Sequence, residues 1–165
     1  MNQSRKRSKK WSIKGMLDLI ETLPSEIAGI EIGSFAGESA KLFIDSGKFT
    51  RLYCVDPWEG LDPRHEAEKR FDETCGDDPR IIKCKGTLRD FRRTLPDVDF
   101  IYIDADHSYR AVLRDIGQAM MFLKPGGIMA GHDYADYFKG TMKAVNNFYE
   151  GRVRVFKDSS WRVVK

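Results

Sequence analysis

The sequence predicts an α/β fold in which a mostly parallel sheet is covered by helices on both faces. Three observations predict it. Stretches with helical spacing of apolar residues alternate with short apolar runs almost without interruption along the 165 residues, the order that builds crossover connections and a buried parallel sheet. The first strong apolar run breaks into a glycine turn, Gly29 to Ser39 (GIEIGSFAGES), just after the acidic Glu31. A second strand then ends on Asp56, 23 residues beyond Gly33, where an acid can accept both hydroxyls of a ribose.

Each element follows from local pattern. The first helix is expected from Ser12 to Leu23, with Ile13, Met16, Leu17 and Ile20 on one face and Pro24 as its stop. Ile27 to Ile32 reads as the first strand, Glu38 to Ser46 as the helix after the glycine turn with Gly47 as its cap, and Leu52 to Val55 as the second strand. The polar stretch Pro63 to Cys75 reads as an exposed helix, Ile81 to Cys84 as the third strand, and Leu88 to Leu95 as a short helix with Leu88, Phe91 and Leu95 turned inward. Asp99 to Ile103 is the fourth strand. Tyr109, Val112, Leu113, Ile116 and Met120 recur at helical spacing and set a helix from Tyr109 to Leu123, before the turn Pro125, Gly126, Gly127. Ile128 to Ala130 opens the fifth strand and Gly140 to Tyr149 forms the last helix. Val153 to Phe156 and Trp161 to Val164, around a short polar turn, read as an antiparallel hairpin.

Length and composition narrow the class. A chain of this length with 41% hydrophobic residues fits one domain with one core. No apolar run approaches the roughly 18 residues that span a membrane, and the charged N-terminus lacks the apolar segment of a secretory signal. These features point to the cytoplasm. Cys54, Cys75 and Cys84 are odd in number and contain no C-x-x-C pair, which argues for reduced thiols rather than a disulfide framework or zinc site. The net charge of +3 comes from residues 1–10, which carry Arg5, Lys6, Arg7, Lys9 and Lys10 and no acid. That stretch reads as a solvated, disordered tail preceding one domain over 11–165, with phosphate contacts to nucleic acid as its alternative use.

The glycine turn is informative in its spacing. Gly33 and Gly37 stand four apart, whereas the dinucleotide fingerprint is G-x-G-x-x-G, spaced to bring a pyrophosphate against a helix N-terminus. A cofactor without phosphates is favoured. This E-x-G-x-x-x-G turn followed by a strand-terminal acid resembles the class I S-adenosylmethionine-dependent methyltransferases. Phe100 to Tyr109 (FIYIDADHSY), Leu123 to Gly127 (LKPGG) and Ala130 to Tyr134 (AGHDY) look like the small-molecule O-methyltransferase branch that includes sugar and macrolide methyltransferases. The resemblance runs from Glu31 to the C-terminus. It implies a Rossmann-like, seven-stranded sheet of order 3-2-1-4-5-7-6 with the last strand antiparallel.

It also implies S-adenosylmethionine at the carboxyl ends of the strands. Glu31, Gly33, Ser34, Phe35, Gly37 and Ser39 surround the first turn, where small residues let the backbone approach and the helix N-terminus can receive a carboxylate. Asp56 faces the ribose, and Gly86 and Thr87 lie near the adenine, although Thr87 also reads as an ordinary helix N-cap. Trp58 reads as packing on its neighbours, with a ligand pocket as the alternative. Asp104 ends the fourth strand and directs the acceptor at the methyl group.

Catechol-type relatives hold magnesium with an acid after the fourth strand and a D-N pair after the fifth. The corresponding residues are Asp104, His132 and Asp133. A histidine in place of a hard oxygen ligand suits manganese or another transition metal better than magnesium. Alternatively His132 is a general base that Asp133 orients. The resulting expectation is O-methylation of a small hydroxylated acceptor by an enzyme that needs no membrane, with self-association into a homo-oligomer compatible with the sequence. A nucleic-acid methyltransferase is disfavoured, since neither N-P-P-Y nor D-P-P-Y follows the fourth strand and no lysine closes the fifth. A non-catalytic protein that keeps S-adenosylmethionine binding is the other alternative, and the intact Glu31, Gly33, Asp56 and Asp104 argue against it.

Overall fold

The computed structural model describes residues 13–59 and 66–165. The basic tail, the expected helix start at Ser12 and the expected start of the polar helix at Pro63 lie outside them. The strands are β1 (Ile27–Ile32), β2 (Phe49–Asp56), β3 (Ile81–Lys85), β4 (Val98–Ile103), β5 (Leu123–Gly131), β6 (Arg154–Val155) and β7 (Trp161–Val164). The helices are α1 (Lys14–Glu21), α2 (Glu38–Asp45), α3 (Glu66–Cys75), α4 (Tyr109–Ala119) and α5 (Lys139–Tyr149), with 3-10 turns at Leu88–Phe91 and Asp136–Phe138. The strands form one sheet in the order β3-β2-β1-β4-β5-β7-β6. β1 to β5 run parallel, and β7 runs antiparallel to both of its neighbours.

Side chains alternate across a strand, so a strand covered on both faces must be apolar throughout. β4 shows this. Its Val98, Ile101 and Ile103 pack with Val112 and Ile116 of α4 and Val145 of α5. Phe100 and Tyr102 face the other way, onto Leu19 and Ile20 of α1, Phe43 of α2 and Phe71 of α3. Phe43 meets Phe100 and Tyr102 edge-on at centroid distances of 5.3 and 5.0 Å, the arrangement that adds to area burial.

Three of the differences from the sequence reading have a clear physical reason or shape the site's surroundings. α4 stops at Ala119 rather than Leu123, because Met121 and Phe122 donate to carbonyls three residues back and wind the end tight. β5 begins at Leu123, beside Val98, and its register with β4 shifts before Phe100 pairs with Ile128, so Pro125 to Gly127 bulge within the strand instead of preceding it. The helix expected over Leu88 to Leu95 contracts to one 3-10 turn.

The crevice of an open parallel sheet lies where strand order reverses. Here that is between β1 and β4, which are hydrogen-bonded neighbours from Gly29 beside Phe100 to Ile32 beside Ile103.

Candidate active site

The backbone at the end of β1 turns on Gly33, with φ +91°, and a Cβ there would lie 2.2 Å from the carbonyl oxygen of Asp104. No other residue lets β1 and β4 end side by side this closely. A cavity of about 520 Å³ opens at this point, within the usual size of small-molecule sites. Gly33, Phe35, Asp56, Gly86, Thr87 and Asp104, all expected at a cofactor site, share its wall.

Asp56 holds the rim of the cavity together. One carboxylate oxygen accepts from the Phe35 backbone N–H at 2.9 Å and the other from that of Trp58 at 2.7 Å. Each oxygen keeps a further lone pair for a ligand hydroxyl. Trp58 packs on Phe71 with centroids 4.9 Å apart and donates its indole N–H to the Phe35 carbonyl at 2.7 Å, so it fastens the two loops together. Thr87 is also the cap that its neighbours imply: Asp90 Oδ2 accepts from both its backbone N–H and its hydroxyl, at 2.8 and 2.7 Å.

Glu31, Ser34, Gly37 and Ser39 do not line the cavity. Glu31 is fully buried beneath the turn, accepts a 2.5 Å hydrogen bond from Ser39 Oγ on Oε1, and leaves Oε2 without a partner among the described residues. Burial pushes its carboxyl up from an ordinary 4.5 to about 7, with the Ser39 hydrogen bond pulling the other way. At Gly37 a Cβ would lie 2.6 Å from Cys75 Sγ, so this glycine lets the start of α2 pack on α3.

A second group of residues stands beside Asp104. His107 Nε2 lies 3.7 Å from Asp104 Oδ1 and 2.6 Å from Asp133 Oδ2, the latter an ion-pair contact without hydrogen-bond angles. One ligating atom from each of Asp104, His107 and Asp133 falls within 4.8 Å of the others. His132, expected in this trio, is at its edge: its Nδ1 lies 3.0 Å from Asp133 Oδ1, while His107 is at Oδ2. The reason is local. His132 still follows β5, its N–H bonded to the Ile103 carbonyl, and only at Asp133, with φ +61°, does the chain turn its carboxylate toward His107.

His107 itself is brought back by a short turn. Asp106 Oδ1 accepts from the Ser108 N–H at 2.8 Å, and Ser108 then caps α4 by accepting from Ala111 N. A D-x-D-H-S run between a strand and a helix is the signal in the sequence that points to it. The neighbouring carboxylates, Asp104 first and then Asp133, raise the His107 pKa above the usual 6.5 against the effect of burial. For His132, burial opposes the charged form, but the Asp133 hydrogen bond and the Asp104 charge outweigh it and raise the pKa too. Among the described residues, no helix is long and apolar enough to cross a membrane.

A family model described as "Methyltransferase domain" matches residues 30–134. The uncharacterised protein R132 of Acanthamoeba polyphaga mimivirus is 27% identical over 118 residues, which is 68% of this chain and 53% of that protein. The chain thus spans about half the length of this relative. An O-methyltransferase from Bacillus cereus, solved with SAH, superposes with a TM-score of 0.63 at 18% identity, covering 95% of this chain and 81% of that one. A ribosomal protein L11 methylase from Lactobacillus delbrueckii subsp. bulgaricus gives 0.64 at 14%, covering 96% and 77%. Spermidine synthase from Thermotoga maritima gives 0.59 at 19%, covering 86% and 54%. At such identities the likeness establishes the fold alone.

Proposed function

Because the chain belongs to this family of class I S-adenosylmethionine-dependent methyltransferases, we propose that it methylates a hydroxyl oxygen of a small acceptor, with His107 as the group that takes the hydroxyl proton. The observation that carries this reading is the double position of Asp104. It lines the cavity where the cofactor fits, and it also stands beside His107 and Asp133.

When bound, the cofactor would supply an electrophilic sulfonium methyl, which passes in line to the acceptor oxygen as the S–C bond breaks and S-adenosylhomocysteine leaves. The chain's own residues position the acceptor and handle its proton. Asp56 accepts from the ribose hydroxyls, and Gly33 lets the backbone come close to the methionine part. With Nε2 turned to the carboxylates, His107 would take the acceptor proton on Nδ1 as the new O–C bond forms, and Asp104 and Asp133 would stabilise the resulting imidazolium through Nε2. Phe138, its ring 4.6 Å from that of His107, offers an apolar wall beside the acceptor position.

The same three residues favour a second version. One imidazole and two carboxylates within 4.8 Å form a donor set that suits manganese or another imidazole-tolerant divalent ion. Such an ion would be held by Asp104, His107 and Asp133 and would lower the hydroxyl's pKa.

Labelled-methyl transfer to sugars, catechols, other small hydroxylated metabolites and RNA, with and without a chelator, tests both versions. We expect label in a small acceptor, and a loss of about 10²- to 10⁴-fold in turnover for His107→Ala with cofactor affinity unchanged. Chelator-resistant turnover removes the metal version, and label in RNA alone removes the small-acceptor reading. Cofactor binding with transfer to no acceptor would favour a non-catalytic role.

A further inference from the structure

Asp115 and Gln118 of α4 form part of the cavity wall. Asp115 is 7% exposed and sits mid-helix on the stripe that buries Ala111 and Ala119. A buried acid in a helix interior is costly unless something compensates it. Capping does not, because Ser108 already caps α4. Arg114 compensates only in part: its Nε donates to Asp115 Oδ1 at 3.1 Å, and no hydrogen bond reaches Oδ2 among the described residues. Burial accordingly raises the Asp115 pKa even beside an arginine.

Elsewhere in the cavity Ile32, Val55 and Leu88 give apolar walls against which a flat group can lie, and Gly86 adds no side chain. The nearby acid of the β3 loop, Asp90, is exposed and taken up by its two bonds from Thr87. Asp115 and Gln118, three residues apart and so on one helix face, offer the cavity a carboxylate and a carboxamide side by side for an in-plane edge. A carboxylate oxygen accepts from an exocyclic amine, and a carboxamide N–H donates to the adjacent ring nitrogen.

We propose that Asp115, with Gln118, reads the amino edge of the cofactor's purine, so that α4 rather than the β3 loop selects the base. This rests on the cavity being the S-adenosylmethionine site. The test is calorimetric titration of the wild-type chain and Asp115→Asn with S-adenosylhomocysteine and with S-inosylhomocysteine, which differ in a 6-amino against a 6-oxo group. The wild-type chain is expected to prefer the amino compound by at least about 10-fold, the factor that a hydrogen bond to a charged group usually contributes. In Asp115→Asn the preference should collapse toward equality, since a carboxamide can accept from the amine or donate to the oxo group. Equal binding of both ligands by the wild-type chain, or an unchanged preference in the variant, overturns the proposal while leaving the cofactor site standing. If neither ligand binds the wild-type chain, the cofactor site falls and this inference with it. Should Asp115→Asn fail to fold, Gln118→Leu carries the test: a several-fold weaker S-adenosylhomocysteine affinity supports the proposal, and an unchanged one overturns it.

Discussion

Glu31 shows how one residue ties stability to pH in this chain. Its carboxyl is fully buried with one oxygen unpartnered, and it holds its proton up to about pH 7 in the fold against an ordinary 4.5. Between those values the folded chain binds a proton that the unfolded chain has released. Stability from this group is therefore greatest below about 4.5, falls as pH rises, and reaches its full penalty above about 7. The difference corresponds to about 3 kcal/mol. Glu31→Gln keeps the shape and the Ser39 contact without an ionisable group. Urea unfolding at about pH 5 and about pH 8 should show the wild-type chain losing more stability than the variant across that interval. Parallel pH dependence in the two proteins would mean that Glu31 stays ionised in the fold.

At the scale of elements, the turn before β7 is a clamp for both ends of the site's scaffold. Asp158 Oδ2 accepts from the Met16 N–H at 2.6 Å, which caps α1 from 142 residues away, and its Oδ1 accepts from Ser160 N at 2.9 Å. α1 has no side-chain cap of its own at Ile13. In the same turn the Ser159 carbonyl accepts from Tyr134 N, and the Trp161 indole donates to the His132 carbonyl at 3.2 Å. The segment after β5 that carries Asp133 is thus held by the hairpin. Asp158→Ala should cost about 1 to 2 kcal/mol, the usual size of a lost helix cap. The urea midpoint should fall with an unchanged slope, and amide exchange should quicken in α1 first. An unmoved midpoint would show that α1 does not depend on this cap.

For the whole molecule, the cavity borders on β1, β2, β4 and α4 together, so a ligand filling it braces the sheet against a covering helix. A ligand that binds only the folded state stabilises it by about 2.7 kcal/mol at 100 times its dissociation constant. For a chain of this size that is a rise in melting temperature of roughly 5 to 10 °C. S-adenosylhomocysteine should produce such a rise at saturating concentration, and the absence of any rise would count against the cavity as the cofactor site.

The strand order and the antiparallel last strand followed only from the family resemblance, whereas the alternation of helices and strands, the glycine turn and the acid that ends β2 were legible in the sequence because they rest on local signals. Gly33 and Asp56 belong to this class, since a backbone that must turn with positive φ and a strand end that must present an acid leave few choices of residue. Which histidine joins Asp104 and Asp133 was decided by tertiary structure. His132 and His107 are both close in sequence to a candidate acid, but the left-handed turn at Asp133 and the Asp106–Ser108 turn aim the acid at His107. The same holds for Gly37, whose close packing against Cys75 no spacing shows, and for Asp115, an unremarked acid in a helix that the fold places in the cavity wall. Periodicity reports which face of an element is apolar, whereas the meeting of side chains from separate elements depends on the angles at which those elements pack.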